Sequence, residues 1–113
     1  MSAAALLPTL TNAQTADEML MKSARSVARI MLIEPICGPF YLLDRKRLTE
    51  VQGWIVQDGV ERFGTDTLRR TVDRVRPEFI NAIKREGAAT WCPAQRAFYR
   101  PPGQPEFIGS PLE

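Results

Sequence analysis

From Thr15 onward, apolar residues recur with a helical period. Leu20, Ala24, Val27, Ala28 and Met31 fall at i, i+4, i+7, i+8 and i+11 as one stripe, while Lys22, Arg25 and Arg29 occupy another face. Thr15 and Glu18 match a capping box, in which hydroxyl and carboxylate satisfy first-turn amides. The helix is expected to close at Glu34, because Pro35 biases its predecessor away from helical geometry. Residues 1–14 have no such period and read as a flexible arm.

Pro35, Gly38 and Pro39 then mark a turn, and the run from Phe40 through Leu43 reads as a buried connector or a short strand. Asp44 is a suitable N-cap for a second helix carrying Leu48, Val51, Ile55 and Phe63 on one side. Gly53 and Gly59 weaken that helix, and Asp58-Gly59 between Trp54-Ile55-Val56-Gln57 and Val60-Glu61-Arg62-Phe63 is also a hairpin signal. Alternation is poor, since Ile55 and Val56 are consecutive, so helix is preferred, with Gly64 as its left-handed stop. Thr65 or Asp66 opens a third helix with the stripe Leu68, Val72, Val75 and Phe79. Pro77 kinks it or begins a fourth helix that carries Ile80 and Ile83 and ends at Gly87.

Beyond Gly87 the prolines 93, 101, 102, 105 and 111 predict an extended tail. Trp91, Phe98, Tyr99 and Phe107 make it unusually aromatic, so its first part is expected to lie along the body while the last ten residues stay free. The fold expected is mainly all-α: a three- or four-helix bundle over residues 15–90, with Trp54 and Phe79 as large fillers and an extended tail over 91–113. The alternative is α+β, with a hairpin at 52–63.

Composition narrows the chemistry. The 113 residues are 44% hydrophobic and 25% charged, enough apolar content for one folded domain. There is no His, which excludes Ser-His-Asp and Cys-His catalysis and histidine metal sites. Cys37 begins no C-x-x-C, because Phe40 stands in the fourth place. A bond from Cys37 to Cys92 requires the fold to bring them together, and the low cysteine content favours a reducing cytoplasm. No run reaches the roughly 20 apolar residues a bilayer needs, and no basic residue precedes the short N-terminal apolar run as in a signal peptide. Neither a phosphate loop nor a catalytic carboxylate pair is visible, so no enzyme and no cofactor are expected.

The net charge is +2, with 12 of the 15 cations arginine. Between residues 62 and 76, Arg62, Arg69, Arg70, Arg74 and Arg76 face only Asp66 and Asp73. Arg, Trp and Tyr dominate interface energetics. Together with Trp91, Tyr99 and Arg100 these arginines form the candidate binding residues of a regulatory or inhibitory protein that occupies a protein partner, with a homodimer left open. The alternative is a DNA-binding regulator, because a glycine-ended helix followed by Thr67-Leu68-Arg69-Arg70 looks like the second half of a helix-turn-helix over 62–76.

Overall fold

Helix propagation is cheaper than nucleation, and the first helix outruns both of its expected ends. The computed structural model describes residues 2–99 and 107–112, with side chains from residue 15 onward. Helix α1 spans Ser2–Cys37, so most of the expected arm is helical; Ala3, Ala4, Ala5, Leu6 and Leu7 are strong helix formers. At the other end α1 continues three residues past Glu34. Burial of Ile33 and Cys37 overrides the bias that Pro35 imposes, and the Gly38 N–H closes the turn on the Glu34 carbonyl at 2.9 Å. A Cβ at Gly38 would lie 2.5 Å from that carbonyl, so only glycine fits there.

Strand β1 (Tyr41–Leu43) follows, and Asp44 caps helix α2 (Arg45–Phe63), its carboxylate accepting from the Arg47 N–H at 3.0 Å. The hairpin alternative is not adopted: Asp58 and Gly59 lie inside α2. Gly59 is there for close packing, since a Cβ would meet Leu68 Cδ2 and Ser23 Oγ, each at 2.9 Å. Gly64, at φ +82°, ends α2 and alone joins it to α3 (Thr65–Glu86), so neither Thr65 nor Asp66 serves as the cap. α3 is a single helix through Pro77, which is exposed to solvent.

The core has two parts that share α1. In one, Ala24, Val27 and Ala28 pack against Leu68, Val72 and Val75 of α3, the main neighbour of α1. The small alanines let the helix axes approach closely. Met31, expected on this stripe, is 44% exposed, and Ile30 and Ile33 turn inward instead. Trp54, expected as a filler, is 59% exposed beneath the Arg47 guanidinium, 5.2 Å from its ring.

The second part corrects the expectation of an extended, partly free tail. Residues after Gly87 form helix α4 (Ala88–Gln95), a 3-10 turn (Arg96–Phe98) and strand β2 (Ile108–Pro111). β2 pairs antiparallel with β1, Leu43 opposite Ile108 and Tyr41 opposite Pro111, with an irregularity between the two pairs. Trp91, Cys92, Tyr99, Phe107 and Ile108 pack with Ile30, Ile33, Cys37, Tyr41, Leu48 and Val51. The proline pattern is followed at β2, which is extended though docked rather than free, but not over Ala88–Gln95, where burial of Trp91 and Cys92 outweighs local chain preference. Cys37 and Cys92 are disulfide-bonded, with Cα atoms 5.8 Å apart, tying the end of α1 to α4. The outcome is a mostly helical small bundle with one two-stranded sheet, and no helix among the described residues is long and apolar enough to cross a membrane.

Candidate binding face

The candidate residues separate into three groups. Trp91 is 3% exposed and Tyr99 8%, so both serve the core and neither offers a surface. Arg62 and Arg76 are on the surface but neutralised, Arg62 Nε donating to Asp58 Oδ1 at 3.1 Å and Arg76 Nη1 lying 3.4 Å from Asp73 Oδ1. Both pairs are exposed and local, one turn apart on their own helices. Arg69, Arg70 and Arg74 remain. Arg70 Nε reaches only the Asp66 carbonyl at 3.4 Å, and Arg69 and Arg74 make no ion pair among the described residues. Arg100 lies outside the described residues.

Arg70 and Arg74, four residues apart, share one edge of α3. They line a cleft of about 460 Å³ between α3 and α1, with Thr67 beside them and Asp17, Leu20 and Met21 on the facing helix. The Thr71 hydroxyl at its base donates to the Thr67 carbonyl at 2.7 Å and so is already engaged. The cleft therefore offers two guanidiniums, an apolar wall and one carboxylate. Such a surface suits an acidic group carried next to an apolar one.

A second arginine centre was not evident from periodicity. Arg29 projects between α3 and the C-terminal segment, its guanidinium 3.9 Å from the Phe98 ring centroid and 5.0 Å from that of Phe79. Nearby, the Tyr99 hydroxyl donates to the Ser26 carbonyl at 3.1 Å. Burial pushes the Tyr99 phenol up to about 12, with Arg29 opposing that rise through its charge and a hydrogen bond. One turn earlier, Arg25 makes two hydrogen bonds to Glu78, at 3.1 and 3.3 Å. These bonds hold the Glu78 carboxyl below its ordinary range. Only the isolation of Arg29 within the apolar run 27–33 hinted at this role in the sequence.

Gly64 is the whole connection between α2 and α3, whereas a helix-turn-helix uses a turn of three or four residues. Among the described residues, no group of three or more Cys, Asp or Glu side chains is placed to hold a metal ion. Compared with known protein families, curated proteins and solved structures, the chain matches none.

Proposed function

We propose that this is a non-enzymatic regulatory or inhibitory protein that acts by occupying a protein partner, using the arginine-bearing edge of α3 and its cleft with α1. The observation carrying this reading is that Arg70 and Arg74, which line that cleft, make no ion pair among the described residues while their neighbours Arg62 and Arg76 do. Unpaired guanidiniums beside Leu20 and Met21 favour a partner segment that alternates carboxylates with apolar side chains. Occupancy is then the mechanism: the partner surface is covered, and no bond is made or broken. Trp91 and Tyr99 contribute by fixing the body on which α3 is mounted.

The test uses labelled peptides that alternate glutamate with leucine and a control that alternates lysine with leucine, titrated with the full chain at several salt concentrations. Binding of the acidic peptide that weakens with salt and falls at least tenfold in Arg70→Glu with Arg74→Glu supports the reading. Equal binding of both peptides, or no response to the double variant, defeats it. A parallel titration with a fluorescent DNA duplex decides the alternative: tight, salt-dependent duplex binding lost in the same variant would replace a protein partner with nucleic acid.

A further inference from the structure

Cys37 and Cys92 are fully buried and bonded to each other within the larger core, 55 residues apart in sequence. Their setting is that of a staple, not of an exchanging redox centre. Reactive pairs are partly exposed and use closely spaced cysteines. Here Cys37 sits at the C-terminal end of α1, where helix carbonyls disfavour a thiolate, and the cluster around the pair is apolar. Access for any reductant is closed in the folded chain. The bond also joins segments that share one core, since Cys37 and Cys92 pack in the same cluster as Tyr99, Phe107 and Ile108.

We infer that the Cys37–Cys92 pair is an oxidative modification site, installed by exchange with an oxidising protein disulfide, and that the chain works in an oxidising compartment. The reducing cytoplasm suggested by low cysteine content would hold both thiols reduced through its glutathione and thioredoxin pools. The exchange takes place while α4 is undocked and both thiols are accessible. The thiolate of Cys92 attacks one sulfur of the oxidant's disulfide, forming a mixed disulfide and expelling the oxidant's other sulfur as a thiolate. The thiolate of Cys37 then attacks the Cys92 sulfur, closing the Cys37–Cys92 bond and releasing the oxidant's remaining sulfur. Both electrons and both protons end on the oxidant, now a dithiol.

Two measurements test this without relying on a variant that folds. In the first, cells expressing the chain at native level are quenched in acid and denatured, and thiols are tagged by alkylation before and after reduction. The expected result is a chain tagged at neither cysteine before reduction and at both afterwards; a majority of chains doubly tagged before reduction overturns the inference. In the second, the purified full chain is unfolded in urea with and without a thiol reductant. The reductant is expected to raise the ratio of unfolded to folded chain by on the order of 1,000-fold, as expected for opening a loop of this length. An unchanged midpoint overturns the structural role. Cys37→Ser combined with Cys92→Ser is expected to reproduce the reduced chain, and matching the oxidised chain instead would have the same overturning force.

Discussion

Gly53 and Gly59 lie in the same helix, yet their environments are opposite. A Cβ at Gly53 would meet nothing within 4 Å, whereas one at Gly59 would press on Leu68 and Ser23. Gly53→Ala therefore gains helix propensity without a clash and is expected to stabilise the chain by about 0.5–1 kcal/mol. Gly59→Ala is expected to destabilise it by about 1–3 kcal/mol through overpacking. Urea unfolding of both variants checks the pair, and a common sign would show that the α2 interface is wrongly drawn. Tyr99 makes stability depend on pH. Its phenol titrates near 12 in the folded chain against about 10 when unfolded, so the protonated group favours folding. Because burial disfavours the phenolate, the folded state keeps its full stability below pH 10 and loses about 2–3 kcal/mol as pH rises through 12. Tyr99→Phe should be less stable near neutrality by about 1 kcal/mol, through loss of the bond to Ser26, and should show a shallower alkaline decline.

At the scale of elements, what the sequence made legible was what period and caps encode. The stripe of α3, most of that of α1, the Asp44 cap and the Gly64 stop are local signals that the structure uses, whereas Thr15 and Glu18, the expected cap, fall inside α1. The C-terminal segment was opaque because its order comes from distant partners: Trp91, Tyr99 and Phe107 are held by α1 and β1, far away in sequence. Proline spacing says nothing of such contacts. The candidate site was legible in part for a related reason, since periodicity placed Arg69, Arg70 and Arg74 outward but could not separate a core tryptophan from a surface one. The outer edge of β2 shows the same dependence on remote groups. Arg96 donates to the Ile108 carbonyl at 3.1 Å and the Gly109 carbonyl at 2.6 Å, leaving that edge less open to pairing with another chain. Removing residues 107–113 takes Phe107 and Ile108 from the core and is expected to cost about 3–6 kcal/mol, a large fraction of a small domain's stability. Loss of a cooperative transition in circular dichroism would show it. Arg25→Ala, by contrast, removes an exposed bridge to Glu78 and is expected to change stability by at most about 1 kcal/mol.

At the scale of the molecule, the two core regions differ in how they are joined. The α1–α3 seam is built from helices alone, while the larger cluster gathers α1, β1, α2, α4 and β2 around the disulfide. Closing a loop across 55 residues stabilises a folded chain by about 4 kcal/mol in the chain-entropy picture. Reduction should therefore loosen the cluster that contains Trp91 more than the α1–α3 seam. Hydrogen exchange read helix by helix would check this: amides of α4 should lose protection first and those at the middle of α3 last. Uniform loss would mean that the two regions open as one.

The sheet has a further consequence for biosynthesis. β1 leaves the ribosome long before β2, its partner in the sheet. During translation the helices of the first seam can already associate, while Tyr41 and Leu48 wait for a cover that has yet to be made. A nascent chain stalled before Phe107 would present that greasy surface to chaperones, and one released there would be fit for proteolysis rather than a shortened but working protein.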